Sequence, residues 1–119
     1  MRDIASHNDI VLMVDSFYAK VKEDELLQPI FAHVDWAHHL PVMYDFWSSI
    51  ILGAQSFQRD PFQKHIPLGL QTKHFNHWLK LFHHTIDEHF SGPHAEDVKN
   101  RANSIAGIFQ HKLGLLKEG

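Results

Sequence analysis

The 119-residue chain reads as an all-α protein, and three observations carry that reading. Apolar residues recur at three- and four-residue intervals in four separate segments, no segment alternates apolar and polar residues for long enough to make a strand, and proline or glycine stands at most of the segment ends. With 44% apolar residues the chain builds one hydrophobic core and hardly two. Residues 1–119 are therefore expected to form a single domain of about four helices with a weakly structured middle segment.

The first helix spans Asn8 to Val21, where Ile10, Val11, Val14, Phe17, Tyr18 and Val21 share a face, and either Ser6 or Asn8 can cap it. Pro29 interrupts any continuation, and residues 32–40, AHVDWAHHL, read as a loop or a short helical turn. The second helix is predicted to begin after Pro41, to carry Val42, Met43, Phe46, Trp47, Ile50 and Ile51, and to stop at Gly53. The stretch that follows has no helical period, and His65 sits on a short turn bracketed by Pro61 and Pro67. The third helix takes Thr72 as its cap and runs through Phe75, Trp78, Leu79, Phe82, Ile86 and Phe90 to Ser91-Gly92-Pro93. A fourth, after Pro93, carries Val98, Ala102, Ile105, Ala106, Phe109 and Leu113.

Composition removes many functions. Eleven Lys and Arg against fourteen Asp and Glu give a net charge of −3 with no basic stripe, which argues against a nucleic-acid partner. The absence of cysteine excludes a disulfide scaffold, Cys-based zinc or iron–sulfur ligation and a thiol nucleophile. The first residues lack the apolar core of a signal peptide, and no stretch reaches the ~18 apolar residues of a membrane span, so a cytoplasmic protein without membrane contact is expected.

Twelve histidines are unusual for this length, and their full protonation would carry the net charge from −3 to +9. They nevertheless fit no direct metal motif. No two stand four apart, as a zincin requires, and no glutamate has histidine three residues on, as a di-iron bundle requires. His84 and Glu88 read as a solvated i, i+4 pair. Walker, nucleophile-elbow and dinucleotide glycine patterns are also missing. What remains is a set of helical faces more aromatic than so small a core requires. A flat apolar cofactor between helices would use them, and haem needs only one histidine from such a chain.

The strings Phe17-Tyr18-Ala19-Lys20-Val21, Pro29-Ile30-Phe31, His39 with Pro41 to Trp47, Lys64-His65-Ile66 and His77-Trp78-Leu79-Lys80-Leu81-Phe82 resemble, in order and spacing, the group III truncated haemoglobins. The resemblance runs from about Ile10 to Leu113. It implies a shortened globin, two helix pairs crossing in a two-over-two sandwich around haem b, with His65 as the proximal iron ligand. It implies distal roles for Tyr18 and Trp78 as hydrogen-bond donors to the bound ligand. His39 matches the distal histidine, open to three roles: bonding ligand, swinging as a gate, or facing solvent. Phe31 matches the corner residue against the macrocycle, and Val42, Met43, Phe46, Ile66, Phe75, Leu79, Phe82, Ile105 and Phe109 are expected around it. The implied function is tight binding of O2 and other diatomic ligands, with redox chemistry on O2, NO or peroxide fed by an external reductase. The competing expectation, from the histidine count alone, is a colourless helical protein that buffers metal ions or docks a partner.

Overall fold

The order of elements is α1 (His7–Glu23), α2 (Trp36–Leu52), α3 (Thr72–His89) and α4 (Pro93–Lys112) in a computed structural model that describes residues 1–53 and 71–112. No strand occurs among the described residues. Neighbours in sequence pack together, α1 on α2 and α3 on α4, and α1 also lies against α3, so the two pairs close on one another over a shared core. None of the described helices is long and apolar enough to cross a membrane.

The start of α1 is fixed by a reciprocal cap. The Asp9 backbone N–H donates to Ser6 Oγ, while the Asp9 carboxylate accepts from the backbone N–H groups of Ala5 and Ser6 at 2.9 and 3.1 Å. Of the two predicted caps the chain therefore uses Ser6. Asp9 is buried, and Arg2 reaches it at 2.5 Å. The hydrogen bond from Arg2 holds the Asp9 carboxyl at about 2, against the desolvation that opposes it, with help from the two backbone N–H groups. A carboxyl depressed in the folded state adds stability above its ordinary value of 3.8 and loses it as pH falls toward 2. Asp9→Asn should thus lower the melting temperature at pH 7 by several degrees, for a loss on the order of 1 kcal/mol, and the gap to wild type should narrow at pH 2.

The buried face of α1 is Ile10, Met13, Val14, Phe17, Tyr18 and Val21. Met13 thus takes the place expected of Val11, which is half-buried. At the other end Asp24 closes the helix and turns the chain, because its Oδ1 accepts from the backbone N–H groups of Leu26 and Leu27.

The start of α2 differs from the sequence expectation. The helix begins at Trp36, with Pro41 inside it, rather than after Pro41. The missing proline N–H costs one bond, to the carbonyl of Ala37, close to a terminus where such bonds are weakest. In return Trp36 is brought onto Phe31 and Tyr18, with ring centroids 6.0 and 5.2 Å apart. Tertiary contacts outweigh the local signal. Gly53 ends α2 as expected, in the left-handed region at φ 75°.

Helix α3 is capped by Gln71, one residue before the predicted Thr72. Helix α4 has a cap brought from the far end of the chain. The Asp3 carboxylate accepts from the backbone N–H groups of His94 and Ala95, at 2.9 and 2.8 Å. That closure needs Gly92, whose φ is 138° and where an added Cβ would lie 2.6 Å from Asp3 Cγ. Gly92→Ala should destabilise the protein by roughly 2 kcal/mol through strain and loss of this cap, read as a lower denaturation midpoint.

Candidate functional site

The aromatic residues do not fill the space between the helices. They surround a cavity of about 620 Å³, its open mouth included, lined by Tyr18 and Phe31 on one side, Met43, Phe46 and Trp47 from α2, Phe75 and Trp78 from α3, and Phe109 from α4. Leu27, His74, Ile105 and Ala106 complete the wall. Spaced i and i+4, Met43 and Trp47 turn toward the cavity together, and so do His74 and Trp78. The wall is mostly apolar with a few polar groups among the rings, the lining that small-molecule sites share.

Tyr18 stands on this wall, 5% exposed, and among the described residues no hydrogen bond satisfies its hydroxyl. Burial alone pushes the phenol above its ordinary value of 10.0, so it remains a protonated donor at neutral pH. Trp78 lies within the same aromatic stack, parallel to and stacked on Phe82 at 5.3 Å and edge-on to Phe17 at 5.4 Å. Buried phenols and indoles usually find a partner; here the free space of the cavity faces the phenol instead.

His39 packs its ring against Tyr18 at 5.1 Å and Trp36 at 5.6 Å, with Nε2 shielded from solvent, but it does not itself line the cavity. Phe31, Met43, Phe46 and Phe75 do line it, as do Ile105 and Phe109. Val42 and Leu79 are half-buried against the core, and Phe82 lies within the core, 1% exposed, supporting Trp47 and Trp78. His65 and Ile66 lie outside the described residues.

Four wall residues escaped the sequence reading: Leu27, Trp47, His74 and Ala106. Leu27 follows no helical period, and Trp47 and Ala106 read as ordinary core positions. For His74 the usable signal was its spacing four residues before Trp78. Its Nδ1 accepts the backbone N–H of Gln71 at 2.9 Å, which is what turns it inward.

Other histidines are engaged away from the cavity. His77 Nε2 meets Asp24 Oδ2 at 2.5 Å and ties α3 to the end of α1, beside the turn that delivers Leu27. Burial would raise the Asp24 carboxyl, but the hydrogen bonds from His77 and from two backbone N–H groups prevail and hold it below its ordinary value. His84 faces Glu88 at 3.6 Å in the exposed i, i+4 pair that the spacing suggested. Among the described residues no three His, Asp or Glu side chains gather to hold a metal ion.

Comparison with known proteins agrees with this geometry. The family model described as "Bacterial-like globin" matches residues 2–112. A group 3 truncated haemoglobin of Campylobacter jejuni is 29% identical over 115 residues, with 91% of each chain covered. The crystal structure of a group III truncated haemoglobin from C. jejuni superposes with a TM-score of 0.86 over 100% of this chain and 98% of that one, at 29% identity. A truncated haemoglobin of Tetrahymena pyriformis shares the fold at a TM-score of 0.70 and 23% identity, covering 93% of this chain and 92% of its own. The all-α architecture is that of a truncated globin, and the chain belongs to the bacterial-like globin family, whose membership implies haem-based ligand binding.

Proposed function

We propose that this protein holds haem b in the aromatic cavity, binds O2 and other diatomic ligands tightly, and carries out redox chemistry on O2, NO or peroxide. The observation that carries the proposal is Tyr18, a buried residue on the wall of an apolar cavity whose hydroxyl meets no partner among the described residues. The residues present fit the group: apolar rings for a flat macrocycle and a few donors placed among them.

In this reading Phe31, Met43, Phe46 and Phe75 hold the macrocycle, Val42, Ile66, Leu79 and Phe82 complete its apolar surroundings, and His65 is the proximal ligand of its iron. When bound, the haem supplies an iron that takes diatomic ligands and exchanges electrons with them. The chain's own part is to shape what happens around it. The Tyr18 hydroxyl and the Trp78 indole N–H would donate to a diatomic ligand held in the cavity, and a charge-assisted bond of this kind is worth roughly 1.5–3 kcal/mol. Slow release follows, which suits chemistry or sensing better than bulk transport. His39, packed beside Tyr18, can hold or pass a proton at the edge of the site.

Conversion of NO and O2 to nitrate needs one electron, and reduction of peroxide to water needs two electrons and two protons. An external reductase, met in the cytoplasm, supplies those electrons. The family membership and the cavity support the haem-protein reading; the reactions on NO and peroxide follow from the donor set.

Absorption spectra of the protein supplied with haem, in ferric, ferrous and ferrous–CO forms, test the proposal. A sharp Soret band that His65→Ala abolishes is the expected result. A wild-type spectrum identical to that of free haem would overturn it.

A further inference from the structure

The cavity has a third donor, beyond the distal pair. His74 is 7% exposed and lines the wall, and its Nδ1 accepts the Gln71 backbone N–H at the start of α3. A neutral imidazole that accepts at Nδ1 carries its hydrogen on Nε2. Among the described residues no group accepts that hydrogen. Burial first, and the neighbouring Lys73 second, disfavour the charged form of the ring.

The same hydrogen bond decides what His74 can do. To bind iron through Nε2 the ring would have to move its hydrogen to Nδ1, which would break the contact with the Gln71 N–H and uncap α3. As folded, the ring is a donor and not a ligand. The acceptor it favours is anionic. His74 is the third residue of α3, inside the first turn, where unpaired backbone N–H groups make the potential positive, and the exposed Lys73 adds to it. Tyr18 lies on α1 and Trp78 one turn further along α3, both away from that terminus.

Haem b carries two peripheral carboxylates, the anionic oxygens it can offer to such a donor. Resting on the reading that the cavity holds haem, we infer that His74 is a cofactor-binding residue whose Nε2–H donates to a haem carboxylate at the α3 end of the cavity.

The two functions of the ring can be separated by isosteres. Asn places its amide oxygen near the position of Nδ1, so His74→Asn keeps the cap and loses the donor; Gln places its amide nitrogen near Nε2, so His74→Gln does the reverse. The measurement is the rate at which the holoprotein surrenders haem to an excess of a scavenging apoglobin, paired with thermal melting of the full chain without haem. His74→Asn should accelerate haem loss about tenfold or more while melting stays near wild type, and His74→Gln should lower melting yet retain haem within about threefold of wild type. Repeating the measurement with haem dimethyl ester, whose carboxylates are blocked, should shrink the wild-type advantage over His74→Asn to about twofold.

An unchanged rate in His74→Asn, equal acceleration in both variants, or an advantage that survives esterification would each overturn the assignment. Those results leave the haem reading standing, provided wild type shows a Soret band. A wild type that takes up no haem ends both.

Discussion

Phe82→Ala is expected to cost about 3–5 kcal/mol, the range for truncating a fully buried phenylalanine, with more from the lost ring contacts. Phe82 is 1% exposed and sits at the centre of an aromatic stack, 5.1 Å from Phe17 edge-on, 5.2 Å from Trp47 and 5.3 Å from Trp78. Both tryptophans face the cavity with their other sides, so the phenylalanine is the backing against which that wall is built. For a domain whose total stability is on the order of 5–15 kcal/mol, such a loss should lower the melting temperature by about 10–20 °C. Leu12→Ala is the matched control, because Leu12 is 41% exposed and its truncation should stay within about 0.5 kcal/mol. Circular-dichroism melting of the two variants without haem checks the contrast. A loss below about 1 kcal/mol for Phe82→Ala would mean that the stack is not the centre of the core.

The stack also explains why so much of the fold was legible. Phe17 on α1, Trp47 on α2 and Trp78 with Phe82 on α3 fall at helical spacing within their own segments, so periodicity alone finds the faces that later meet. Gly53 and Pro93 mark helix boundaries for reasons internal to the backbone, and those boundaries were readable without a structure. Pro41 was not, because what carries α2 back to Trp36 is contact with Phe31 and Tyr18, residues on other segments. The cap of α4 was invisible for the same reason: Asp3 and His94 are 91 positions apart. At the site, the resemblance to truncated haemoglobins singled out Tyr18 and Trp78 as donors, and the structure adds that no group among the described residues meets the Tyr18 hydroxyl. His74 escaped because a histidine on an aromatic face reads equally well pointing in or out. Only its bond to the Gln71 N–H decides between them.

Tyr18→Phe separates the structural worth of the residue from its functional worth, because the two predict changes in different measurements. Phenylalanine keeps the ring and its contacts to Phe17, Phe31 and Trp36, and removes only a hydroxyl that has no partner among the described residues. Deleting a buried, unpartnered polar group is neutral or slightly favourable, so melting without haem should hold within about 0.5 kcal/mol or rise. Haem should still bind. Loss of one charge-assisted hydrogen bond to bound O2, worth roughly 1.5–3 kcal/mol, should speed O2 release about tenfold to a hundredfold, as followed by stopped-flow displacement with CO. Because burial pushes the phenol above its ordinary value, wild-type release should show no step from tyrosinate formation between roughly pH 5 and 9. Release at the wild-type rate in Tyr18→Phe would show that the hydroxyl does not face the ligand. The distal role would then fall to Trp78, whose indole is held in place by Phe82 and Phe17 and would become the next donor to remove.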